Sequence, residues 1–155
     1  MRRILSVTSI ALFIAAASLS AAHAETTPAN AIKYRQQIMK AIGAHFGAFF
    51  MINTGAVDLG KHLSAHADAI AALGEEIPAL FPAGSGTGKT EALPKIWEEP
   101  AKFSETANAA KDATAKLAAA VKAGDKAGIG AAAKSLGEAC KSCHDRYRKE
   151  QPKAQ

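Results

Sequence analysis

Cys140-Lys141-Ser142-Cys143-His144, close to the C-terminus of a 155-residue chain, is the stretch from which the rest is best read. Two cysteines three positions apart with a histidine directly after the second form the C-x-x-C-H pattern for covalent attachment of haem c. On a helix, Cys140 and Cys143 project from one face, and each thiol can add to one vinyl group of the porphyrin. His144, four residues past Cys140, then stands where it can ligate the iron. A redox-active C-x-x-C pair is the other reading of the two cysteines. The histidine behind the pair, and the lack of a strand-helix-strand frame around it, favour haem.

The other end of the chain carries an export pattern. Met1-Arg2-Arg3 is a charged start, Ile4 to Ala17 an apolar run, and Ala22-His23-Ala24 a small-x-small cleavage site. Residues 1–24 are therefore expected to be a signal peptide for secretion into a bacterial periplasm, with no stable membrane insertion after cleavage. Residues 25–155 are enough for one domain and one core. Loss of Arg2 and Arg3 with the signal lowers the formal charge from +5 to +3. Acidic residues recur among the basic ones along the chain, so nucleic acid is set aside as a partner.

Between these ends no stretch alternates with period two, and alanine abounds while aromatic residues are few. An all-α chain is expected. Thr27-Pro28 supplies a cap and a first-turn proline, followed by an inward stripe of Ile32, Arg35, Met39, Ile42, Phe46 and Phe49 that ends near Asn53 to Gly55. A second helix is expected from about Asp58, with Leu59, Leu63, His66, Ile70, Leu73 and Ile77 inward. From Pro78 to Pro100 prolines and glycines mark a long connection, with Phe81 and Trp97 as anchors onto the bundle. Pro100 opens a third helix through Phe103, Ala107, Ala110, Thr114, Leu117 and Val121. Gly124-Asp125 stops it and caps a fourth, which carries Ile129, Ala132, Leu136, Cys140, Cys143 and Tyr147 inward. The fold expected is an antiparallel up-down four-helix bundle. Its alanine-lined stripes would leave an interior that a porphyrin could fill.

The far side of the iron decides what such a protein does. An open position binds small gases, whereas a thioether closes the iron and raises its potential for electron transfer. Met39, mid-helix on the inward stripe one turn after Arg35, is the favoured candidate, although a buried methionine is more commonly a core filler. Met51 lies off the stripe. His66 is first a core or groove histidine and second an alternative axial ligand. His62, one turn before it, makes a weak metal-binding spacing, and His45 is expected at a helix interface.

In Lys33-Tyr34-Arg35-Gln36 with His45-Phe46-Gly47, in Pro94-Lys95-Ile96-Trp97, and in Cys140 to Arg148, the chain resembles the class II c-type cytochromes, the cytochrome c' and cytochrome c-556 group. The resemblance spans the whole of residues 25–155. It implies one haem c attached through Cys140 and Cys143, with His144 as proximal ligand. It also implies that Arg35 contacts a haem propionate with Gln36 beside it, that Glu91 lies near the haem edge, and that Arg148 lies one turn past the ligand. Five-coordinate cytochromes c' usually carry a non-ligating apolar or aromatic residue four after the propionate arginine, and here that residue is Met39. This is most like the low-spin c-556 branch, which implies a His144/Met39 haem and one-electron transfer without enzyme activity. The alternative is a high-spin cytochrome c' binding nitric oxide or carbon monoxide. The tail residues Lys141, Arg146, Arg148 and Lys149 suggest a basic rim that docks an acidic redox partner. A homodimer is also within what the resemblance implies.

Overall fold

The structure is a computed structural model that describes residues 26–150; the expected signal peptide lies outside the described residues. Helix α1 runs Pro28–Asn53, with the Thr27 side chain accepting from the Asn30 amide and Pro28 in the first turn, where a missing N–H costs nothing. Helix α2 is Leu63–Gly74. A short α3, Lys95–Glu98, precedes α4, Pro100–Ala123. Gly124, at a φ of 71° that suits a residue without a Cβ, closes α4. Asp125 caps α5, Lys126–Tyr147, by accepting from the Ala127 amide.

The four long helices form the expected bundle: α1 packs on α2, α2 on α4, and α4 on α5. No comparable backbone contact joins α1 to α5. The bundle is thus closed on three sides and parted along the α1–α5 seam.

Two apolar clusters fill it. One end holds Phe49, Ala67, Ile70, Ala113, Leu117, Ile129, Ala133 and Leu136. The other holds Ile38, Ile42, Ile77, Leu80, Ile96, Phe103, Ala107 and Tyr147, with Phe81, Trp97 and Met39 packed against it. Burial of each large aliphatic or aromatic side chain in such a cluster stabilises the fold by roughly 1.5–3 kcal/mol.

The second helix differs from its sequence expectation. Leu59 is 47% exposed, residues 60–62 form a single 3-10 turn, and α-helical structure begins only at Leu63. Gly60 lowers helix propensity at the start. At the other end Pro78 removes a donor, so Ile77 reaches the core from a second 3-10 turn. Gly74, the last residue of α2, is buried. A Cβ there would come within 2.9 Å of the Thr114 methyl and closer still to its hydroxyl, so the glycine sets how tightly α2 approaches α4.

The alanine stripes also act otherwise than expected. Ala67 and Ala107 are fully buried in tight helix contacts and leave no gap for a porphyrin. Small residues bring the helices together there, and open space arises instead where α1 and α5 part.

Candidate haem site

At the aromatic end of the α1–α5 seam lies a cavity of about 510 Å³, within the range of cofactor sites. Helix α1 contributes Arg35, Gln36, Met39 and Lys40. Helix α5 contributes Cys143, His144 and Tyr147, with Arg148 just beyond its end, while Phe81, Ile96 and Phe103 close the apolar floor. Seven of the eight residues expected from the sequence thus border one space: Arg35, Gln36, Met39, Glu91, Cys143, His144 and Arg148. The eighth, Cys140, lies one turn along α5, half-buried against the neighbouring apolar cluster.

The long connection is tied over this cavity by its own backbone. Leu93 donates to the Tyr147 carbonyl and Lys149 to the Glu91 carbonyl, so Ala92 and Arg148 form an antiparallel bridge. The Glu91 and Arg148 side chains pair at 3.2 Å. Trp97 Nε1 donates to the Phe81 and Pro82 carbonyls, and its ring lies where a Cβ on Gly86 would be. Phe81, Phe103 and Tyr147 stack edge to face in sequence, which favours a rigid floor.

Arg35 is the hub of the connection. Only 4% exposed, it donates from Nη1 to Leu80 O and Ser85 Oγ, at 3.2 and 3.0 Å, and from Nη2 to Ser85 O and Thr90 Oγ1, at 3.0 and 2.8 Å. The guanidinium also sits 4.7 Å above the Phe81 ring. Burial pushes its pKa below the usual guanidinium range, and the group stays charged because arginine does not deprotonate in proteins. A buried cation on a cavity wall, held chiefly by neutral acceptors, is suited to an anionic group of a ligand. Gln36 follows the same pattern, donating to the Lys89 carbonyl.

On the opposite wall burial is the first cause that lowers the His144 pKa, with Arg148 adding to it and Asp145 opposing it. The balance favours neutral imidazole, the form that ligates iron. The cysteines are unpaired. Burial pushes both thiols up, Cys143 to about 11. A redox-active C-x-x-C pair needs the opposite, a thiol stabilised as thiolate. One imidazole, two thiols on the same helix, an apolar floor and a buried cation opposite fit a haem bound through thioethers.

His66 does not approach this cavity; it pairs with His45 between α1 and α2. Met51 is exposed and equally remote. The basic rim is largely charge-paired, since Lys141 binds Asp145, Arg146 binds Glu99 and Arg148 binds Glu91. Sequence reasoning passed over Thr90, Lys40 and Ser85. A polar residue in a proline- and glycine-rich connection carries no periodicity that would single it out.

The site and its scaffold define a class, the haem proteins in which a C-x-x-C-H helix closes a four-helix bundle. The family model described as Cytochrome C' matches residues 30–148. The cytochrome c' of Pararhodospirillum photometricum is 41% identical over 123 residues, covering 79% of this chain and 98% of that one. Cytochrome c-554 and c-556 names occur among further relatives. Among solved structures, cytochrome c prime from Shewanella frigidimarina aligns with a TM-score of 0.76 at 38% identity, covering 81% of this chain and 99% of that one. The nitric oxide complex of the L16A mutant of cytochrome c prime from Alcaligenes xylosoxidans aligns at 0.75 and 33% identity, covering 82% and 99%. The chain belongs to the cytochrome c' family and carries one covalent haem c.

Proposed function

We propose that this is a periplasmic cytochrome c' whose haem, held by His144, keeps its second face open to an uncharged diatomic gas, nitric oxide or carbon monoxide. The observation that carries the reading is the run of relatives and solved structures named cytochrome c', with which the placement of Met39 agrees. Its side chain is half-buried and packed against the apolar cluster of Ile38, Ile42 and Phe103. It serves there as wall, the ordinary role of a methionine in a core. Apolar distal walls favour binding of small neutral ligands over acid-base activation, and no enzyme activity is proposed. The nitric oxide complex in the name of the Alcaligenes xylosoxidans structure supports the same reading.

Bound haem c would supply a one-electron couple and an iron that takes a small ligand. Cys140 and Cys143 would hold it covalently, His144 would ligate the iron, and Arg35 with Gln36 would provide donors for its acidic edge. Glu91 and Arg148 clasp the connection over the mouth of the cavity.

A second reading is low-spin electron transfer with Met39 as sixth ligand. It is favoured by the presence of Met39 and His144 on the same cavity and by the c-556 name among relatives. Absorption spectra of both oxidation states, with carbon monoxide titration of the reduced protein, separate the two. A high-spin ferrous spectrum that shifts on adding gas, in wild type and in Met39→Leu alike, is expected. A low-spin ferrous spectrum that becomes high-spin only in Met39→Leu would refute the open-site reading.

Periplasmic location rests on the export pattern of residues 1–24. Among the described residues no helix is long and apolar enough to cross a membrane. Exposed Tyr34, Phe50, Met51 and Leu59 offer apolar surface for a second copy of the chain. The charge pairing of the rim supports only weak, salt-sensitive docking of an acidic redox partner.

A further inference from the structure

The haem site leaves one pair of metal-ligating side chains unused. His45 on α1 and His66 on α2 face each other across the helix contact, with their Nδ1 atoms 3.0 Å apart and their ring centroids 5.2 Å apart. Both rings are half-buried, so solvent reaches them, and neither lines the haem cavity. Two neutral imidazoles so placed share one proton, the Nδ1–H of one donating to the bare Nδ1 of the other.

We propose that His45 and His66 form a second metal site, separate from the haem, for a divalent first-row transition ion, with Cu²⁺ preferred. The argument is the bite. Nitrogens 3.0 Å apart, each about 2.0–2.1 Å from an ion, subtend about 91–97° at it. That matches neighbouring positions of a tetragonal or square-planar ion and falls short of the wider tetrahedral angle that Zn²⁺ adopts. Copper also leads the general affinity order for nitrogen ligands.

Chelation asks both rings to swing, because in the hydrogen-bonded pair the Nδ1 lone pair points at the other nitrogen and not at a shared ion. The donating ring moves its proton from Nδ1 to Nε2, which leaves both Nδ1 lone pairs facing inward with no net proton released. The rings then turn about χ2, a broad torsion for histidine. Among the described residues no third His, Cys, Asp or Glu completes a cluster, so water fills the remaining positions.

The test is calorimetric titration of CuSO₄ and of ZnSO₄ into the ferric haem-loaded protein, with copper electron paramagnetic resonance to count nitrogen ligands. One Cu²⁺ per chain with nitrogen ligation is expected, bound more tightly than Zn²⁺. His45→Ala and His66→Ala should each weaken it at least tenfold, while His62→Ala and the haem spectrum stay unchanged. Because the pair packs two helices together, His45→Asn and His66→Asn repeat the test with a polar contact retained, and far-UV circular dichroism checks their fold. Copper affinity equal to wild type in well-folded variants at positions 45 and 66 would overturn the proposal. So would tighter binding of Zn²⁺, or a loss in His62→Ala as large as that in His66→Ala.

Discussion

Replacing Arg35 by leucine tests whether the long connection is held by one buried side chain. The substitution removes four donated hydrogen bonds, to Leu80 O, Ser85 Oγ, Ser85 O and Thr90 Oγ1. Two acceptors keep other partners, because Ser85 Oγ still donates to Pro82 O and Thr90 Oγ1 still accepts from the Ala92 amide. The Leu80 and Ser85 carbonyls lose the donors that Arg35 supplied, at residues 5% and 0% exposed. Each buried acceptor left unsatisfied costs about 1–3 kcal/mol, and loss of the contact over Phe81 adds about 0.5–2 kcal/mol. Removing a buried cation returns part of this. A net loss of about 2–4 kcal/mol is expected, which for a domain of this size lowers Tm by about 6–16 °C. The assay is thermal melting of the haem-loaded protein, followed by far-UV circular dichroism and by the haem band. Arg35→Lys keeps the charge but not the planar fork, and should recover less than half of the loss. A leucine variant within about 0.5 kcal/mol of wild type, or a lysine variant equal to it, would refute the reasoning.

Gly74→Ala should lower the urea midpoint by an amount equivalent to about 1–3 kcal/mol, because its methyl has nowhere to go except into Thr114 on α4. Trp97→Phe retains the ring but loses the Nε1 bonds to the Phe81 and Pro82 carbonyls, and chemical denaturation should register a loss of about 1 kcal/mol. Asp125→Ala removes the cap of α5 at the Ala127 amide and should cost about 1 kcal/mol in the same assay, with the haem spectrum unaltered. Glu91→Gln, which breaks an exposed pair with Arg148, should move stability by no more than about 1 kcal/mol, and the difference from wild type should shrink as salt is added.

How far the chain can be read unaided depends on whether a feature is local. Thr27-Pro28, Gly124-Asp125 and the alternating three- and four-residue stripes place the termini of α1, α4 and α5 and most of their inward faces. Each signal is contained within a few turns of one helix. The stripe on α2 misled at Leu59 because the apolar period starts before the regular helix does, which begins only at Leu63, after Gly60. The alanine stripes misled for another reason. A small side chain permits either a gap or a close approach, and the partner helix decides which.

By itself the sequence determined the attachment chemistry at Cys140, Cys143 and His144, the helical class, and the face that each of those residues occupies, because spacing on a helix is a property of the helix alone. Only the tertiary structure decided that α1 and α5 part to leave the cavity, that Arg35 ties Leu80, Ser85 and Thr90 together, and that Met39 borders the cavity beside the cluster of Ile38, Ile42 and Phe103. It also brought His45 and His66 to 3.0 Å of one another. Those pairings join residues on different helices or across an irregular connection, where no period relates them, and their distances exist only once the bundle has closed.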